Sequence, residues 1–126
     1  MFKRTDAVVV LLGDNLGELG GSEYLASMHG KVCGEPPALD LKREAAVQAL
    51  ILKLIRGGLV DSAHDCSEGG LAIALAECTF DSGGIGVTAD LATIESAGSF
   101  GPNAALFGES ASRIVVSMAE KQRDAV

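Results

Sequence analysis

Apolar and polar positions alternate between two spacings along the chain, and the switch from one to the other lays out its elements. Ala7-Val8-Val9-Val10-Leu11-Leu12 is a continuous apolar run halted by Gly13-Asp14-Asn15, the pattern of a short strand covered on both faces and followed by a loop. Tyr24-Leu25-Ala26-Ser27-Met28 has room for one or two helical turns, with Ser22 as its N-cap. Pro36-Pro37 excludes regular structure in the connection that follows. A helical period returns over residues 41–56, with Asp40 as cap, Ala45, Ala46, Leu50 and Leu54 on the apolar face, and Gly57-Gly58 as the stop. Residues 59–64 read as a second strand and residues 70–80 as a second long helix, whose Ala72, Ala74 and Ala76 allow close packing. The alternation in Ile85-Gly86-Val87-Thr88-Ala89 predicts a third strand. A loop and short helix then lead to a fourth strand over residues 112–118, and Ser117 with Glu120 fits a capping box for a terminal helix.

Strands alternating with helices predict an α/β sandwich, a mixed sheet covered by helices, in one domain. Within residues 1–126 the expected parts are an opening strand in residues 1–13, a loop and short helix in 14–39, and the main sandwich in 40–126. A terminal helix with so little to bury against is expected to be cut short, which makes the chain a piece of a longer polypeptide.

The chemistry concentrates where a strand gives way to a helix through Ser62-Ala63-His64-Asp65-Cys66-Ser67-Glu68-Gly69-Gly70-Leu71. The first turn of a helix has backbone N–H groups without partners, and a Gly-Gly pair lets an anion approach them. Asp65 and Glu68 are themselves anionic, so a phosphate there calls for a bridging divalent cation. Magnesium is the ordinary choice for oxygen ligands. The same glycines also suit a tight turn that packs a helix close to a sheet. No Gly-Lys-Ser/Thr ending or G-x-G-x-x-G pattern occurs to decide between the two. Arg113 could hold an anion or pair with Glu109, and Glu18 and Glu23 flank Gly20-Gly21 either as a metal or partner contact or as solvated charges.

Charge narrows the function classes. The net charge of −7 disfavours a broad nucleic-acid interface. The chain is 48% hydrophobic, which argues against disorder, yet no apolar run approaches the roughly 20 residues that span a bilayer. Neither a nucleic-acid nor a membrane partner is therefore expected. The start lacks a signal peptide's apolar centre, and Cys33, Cys66 and Cys78 form no C-x-x-C pair. Both point to a reducing, cytoplasmic setting. His64 and Cys66 could begin a zinc site or a Cys/His nucleophile, but no further ligand stands at metal-site spacing.

Three elements in order, Gly20-Gly21-Ser22-Glu23-Tyr24-Leu25, the Ser62 to Leu71 run, and Phe107-Gly108-Glu109-Ser110-Ala111-Ser112-Arg113, resemble the phosphoribosylformylglycinamidine synthases. The middle element is shared more loosely with the wider aminoimidazole ribonucleotide synthetase superfamily. The resemblance implies a C-terminal-type domain of that superfamily and a carbon–nitrogen ligase of purine biosynthesis that uses ATP, Mg2+, formylglycinamide ribonucleotide and glutamine-derived ammonia. It implies Asp65 as a metal ligand, Ser67 as a nucleotide contact, and Gly69 and Gly70 shaping the nucleotide loop at the start of the helix. It also implies the remaining synthetase domains and a glutaminase domain or subunit as partners. The chain has no glutaminase triad, so Cys66 is not the ammonia-releasing cysteine, and the segment alone is expected to be inactive. The competing class is an interaction module that holds the other domains together.

Overall fold

The computed structural model describes residues 1–90 and 101–126. Its sheet has three strands, β1 (Ala7–Leu12), β2 (Ser62–Asp65) and β3 (Ile114–Ala119), in the order β1-β3-β2. Both pairings are antiparallel, with Ala7 opposite Ala119 and Leu12 opposite Ile114 on one side of β3, and Ser62 opposite Ser117 on the other. The helices are α1 (Glu23–His29), α2 (Leu41–Arg56), α3 (Gly70–Thr79) and α4 (Pro102–Phe107), and a 3-10 turn covers Glu120–Ala125.

The unbroken apolar run of β1 follows from coverage on both faces. Val9, Leu11 and Val115 pack with Phe2, Leu71, Ala74, Leu75 and Cys78 on the α3 side. Val8, Val10, Leu12, Val116 and Met118 pack with Ile51 and Leu54 on the α2 side. Successive strand residues point to opposite faces, so each layer takes alternate residues of one strand and no polar position is needed between them. The result is the sheet-and-helix sandwich expected from the pattern, with its described strand pairs all antiparallel where a mixed sheet was expected.

Local capping explains the helix starts. Ser22 Oγ accepts from the Leu25 N–H at 3.3 Å, and Gly30 ends α1 in the left-handed region at φ 62°. Asp40 Oδ1 accepts from Lys42 N at 2.9 Å and Arg43 N at 3.2 Å. Those two bonds hold the Asp40 carboxyl below its ordinary pKa, the Arg43 amide most strongly. The buried stripe of α2 is Val47, Ile51 and Leu54, whereas Ala45, Ala46 and Leu50 are exposed. The expected face is therefore rotated about the helix axis, with Ile51 and Leu54 packing in the cluster of Val116 and Met118 and Val47 buried on the same side.

Two further expectations are corrected. Residues 85–89 form no strand. Gly83 and Gly84 take positive φ, and the Ile85 N–H bonds Ser82 Oγ at 3.1 Å, so the backbone is spent on a local turn while Ile85 packs against the α3 cluster. Ser117 caps nothing either. It is fully buried inside β3, its Oγ lies 2.6 Å from Ser62 Oγ, and the terminal turn begins after Ala119, whose N–H donates to Gln122 Oε1. The strands also lie one to three residues later than expected, β2 at Ser62–Asp65 and β3 at Ile114–Ala119.

Leu54 is 2% exposed and touches the β3 face of the core. Leu54→Ala should lower unfolding free energy by about 2–5 kcal/mol, the usual cost of such a cavity, read from the midpoint of a urea transition.

Candidate functional site

The loop from Asp65 to Gly70 begins where β2 leaves the sheet, and Cys66 N still bonds Arg113 O at 3.0 Å. It then turns sharply, with the Gly70 N–H on Ser67 O at 3.0 Å and both Gly69 and Gly70 at positive φ. The reason for glycine at 70 is steric. A Cβ there would lie 2.4 Å from Gly108 O and 2.9 Å from Leu106 O. Close packing of α3 against the end of α4 therefore requires glycine at 70, in keeping with the tight-turn reading of the pair, while a Cβ at 69 would meet Ile73 within α3.

The anion at this helix start is supplied by the chain itself. Glu109 Oε1 accepts from Gly69 N at 2.8 Å and from Glu23 N at 2.9 Å. One carboxylate oxygen thus joins all three sequence elements: the start of α1, the start of α3 and the 107–113 segment. The Glu109 N–H in turn donates to Glu18 O at 2.8 Å. Tyr24 stacks on Phe107 at 5.0 Å between ring centroids, closing the same junction from the apolar side.

Arg113 neither pairs with Glu109 nor faces outward. It is 2% exposed and donates to Ser110 O at 2.8 Å, Gly108 O at 2.6 Å and Asn15 Oδ1 at 3.2 Å. Burial lowers its pKa, opposed by nearby Cys66, Glu18 and Glu109. Asn15, read from sequence only as part of a loop, is buried and also donates to Ala105 O at 2.7 Å. Apart from the Gly17 N–H on its Oδ1 at 3.4 Å, its partners lie ninety or more residues away, so the local sequence does not mark its role. Glu18 Oε1 accepts from Ala38 N at 2.9 Å, a structural bond between two loops, and Glu23 lies in the first turn of α1.

Asp65 and Ser67 remain at the surface. Ser67 Oγ donates to Asp65 Oδ2 at 2.6 Å. That hydroxyl, then Asp65's own backbone N–H, hold the carboxyl below its ordinary pKa, with a smaller pull from His64. His64 Nδ1 donates to Asp65 O at 2.7 Å, and its Nε2 lies 3.4 Å from Glu77 Oε2. Cys66 is pushed up to about 11 by burial, so its thiol stays protonated at neutral pH. His64 and Cys66 are therefore turned to separate partners and form no nucleophile pair.

Beside Asp65 lies a cleft of about 220 Å³ lined by Glu44, Cys66, Ser112 and Arg113 among others. Ser112 Oγ donates to Glu44 Oε2 at 2.6 Å across it, and that bond, then Gln48, keeps the Glu44 carboxyl below its ordinary pKa. Ligand pockets usually enclose roughly 300–1,000 Å³, so this cleft is too small to hold a nucleotide by itself. Among the described residues no three His, Cys, Asp or Glu side chains gather as a metal site, and no helix is long and apolar enough to cross a membrane. Magnesium keeps several waters and takes only one or two protein carboxylates beside substrate phosphates. An exposed, ionised Asp65 next to a hydroxyl fits such a partial shell.

The family described as AIR synthase related protein, C-terminal domain, matches residues 4–126. The chain is 51% identical to the phosphoribosylformylglycinamidine synthase subunit PurL of Moorella thermoacetica over 99% of its own length and 16% of that relative's. It is 50% identical to the same subunit of Anaeromyxobacter sp. strain Fw109-5, covering 93% of the chain and 16% of the relative. The chain thus spans about a sixth of the length of these relatives. Among solved structures, T. maritima PurL complexed with FGAR aligns with a TM-score of 0.64 at 20% identity, over 98% of this chain and 21% of that one. The PurLQS structure from Thermotoga maritima aligns at 0.60 and 18% identity, over 98% and 19%. At these identities the solved structures establish the fold.

Two outcomes test the loop. Gly70→Ala should be destabilising by more than the ~1–2 kcal/mol cost of a left-handed alanine, because the methyl also meets the Gly108 carbonyl; thermal melting reads it. Ser67→Ala should move the Asp65 pKa up toward its ordinary value, seen in the carboxyl carbon shift on NMR titration. A depressed folded pKa stabilises above the unfolded value and loses that contribution as pH falls through the folded one. The variant should therefore be slightly less stable at neutral pH, with the difference vanishing as pH falls through and below the ordinary aspartate range, and the effect is weak since Asp65 is exposed.

Proposed function

Since the chain belongs to the AIR synthase related protein, C-terminal domain family, we propose that it forms one wall of a nucleotide site in a phosphoribosylformylglycinamidine synthase. The reaction is the ATP-dependent conversion of formylglycinamide ribonucleotide and glutamine-derived ammonia to the amidine. The observation that carries this reading is the 51% identity to a PurL subunit along almost the entire chain. The three ordered elements, joined in space at Glu109, agree with it. In this reading Asp65 and Ser67 meet the phosphate end of ATP, and Gly69 and Gly70 shape the loop that presents them. A magnesium ion held by Asp65 would offset phosphate charge.

The chain's own residues bind and orient. Asp65 stays ionised through Ser67, and its exposure leaves it open to the charge of an incoming ligand. The small cleft beside it makes a second surface necessary to exclude water and complete the nucleotide site. That surface comes from the remaining synthetase domains of the parent, and ammonia comes from a glutaminase domain or subunit, in the cytoplasm. The segment by itself has no turnover, since phosphoryl transfer needs groups from several elements in place at once. A scaffolding role has its own support in the exposed Leu41, Leu52 and Ile55 of α2 and in Phe80, apolar side chains suited to covering by other domains.

Asp65→Ala in the full-length synthase separates the two. Nucleotide contact predicts loss of magnesium-dependent ADP binding by calorimetry with an unchanged melting temperature. Unchanged binding and activity would leave only the scaffolding role.

A further inference from the structure

We propose that Glu109 is the positioning residue of the nucleotide loop, acting as a hydrogen-bond acceptor that fixes Gly69 relative to Glu23 and takes no part in ligand contact. The inference rests on the reading above that the loop from Asp65 to Gly70 meets nucleotide. Three observations carry it. Glu109 Oε1 accepts two backbone N–H bonds from elements forty and eighty-six residues away in sequence. Its own backbone is held in turn, by its N–H on Glu18 O and by the Gly108 and Ser110 carbonyls that Arg113 grips on either side. And the Gly69 N–H, one of the donors at this helix start, is already satisfied.

The acceptor geometry matters in two ways. With Gly69 and Gly70 both at positive φ, the loop is built on a backbone conformation with few local restraints, because glycine moves readily between regions. The Glu109 bond removes that freedom before ligand arrives, so the Asp65–Ser67 pair is presented in one place. Because its N–H is engaged, Gly69 itself is closed to phosphate, and the loop offers Asp65, Ser67 and a cation instead.

The requirement is an oxygen acceptor at this distance, not a negative charge as such. In the full-length synthase, Glu109→Gln keeps an amide oxygen able to accept from both N–H groups and should hold the magnesium–ADP dissociation constant within about threefold of the parent. Glu109→Ala frees the loop and should raise it about tenfold or more, the usual scale for a lost hydrogen bond to a charged group. If Glu109→Ala fails to fold, Glu109→Asp, one carbon too short to reach both donors, should show the same weakening. A folded Ala or Asp variant that binds like the parent overturns the proposal, as does a Gln variant as weak as Ala. Asp65→Ala run alongside keeps the two readings apart. If that variant binds normally the nucleotide reading itself fails, whereas weakened binding there with normal binding in the Glu109 variants removes the positioning role alone.

Discussion

Among the described residues Arg113 is the one buried charged residue, and the arrangement around it sets the geometry of everything near the loop. Taking a guanidinium from water costs several kcal/mol unless its donors are used. Here Nε, Nη1 and Nη2 each find a neutral oxygen, from Ser110, Asn15 and Gly108. Two of those are carbonyls on the residues flanking Glu109, so satisfying the charge folds the 108–113 segment around the arginine. Glu109 is thereby turned the other way, onto Glu23 and Gly69. Losing Asn15 or shifting Gly108 would leave an unmet charge in the core, which ties the first loop of the chain to the last strand.

The sandwich supports this junction through close backbone approach. α3 stands against α4 because Gly70 has no Cβ, and the chain at Gly13 meets Ser112 so closely that a Cβ would lie 2.0 Å from its carbonyl. Ser112 itself takes φ +60°, a strained position for serine, and its hydroxyl is tied to Glu44 on α2. The loop therefore connects to both helical layers, through Glu109 and α3 on one side and through Ser112 and α2 on the other. A β3 strand packed on both faces is the rigid base from which the 108–113 segment starts.

How far the sequence could be read follows from the range of the interactions. β1, the Ser22 and Asp40 caps, α2 and α3 are set by neighbours in sequence, and these are legible. Residues 85–89 look like a strand only if their alternation is counted without Gly86 and the Ser82 side chain that captures Ile85. Ser117 has the spacing of a cap, but the third partner, Ser62, lies fifty-five residues away and draws it into the sheet. Arg113 and Glu109 suit an ion pair four residues apart, yet each has better partners from distant loops. The order of three short motifs signalled the family, while the acceptor that joins them in space could not be read from any one of them.

The sheet order has a consequence for how the chain is made. β3 is the middle strand, and it is the last of the three to leave the ribosome. Among the described strands β1 and β2 have no partner until it emerges, since Ala7 must wait for Ala119 and Ser62 for Ser117. Nearly the whole segment is thus synthesised before its first ladder bond can form, which makes folding a late and long-range event. During that interval the apolar run of β1 is a strand without a ladder, the kind of nascent surface that chaperones shield.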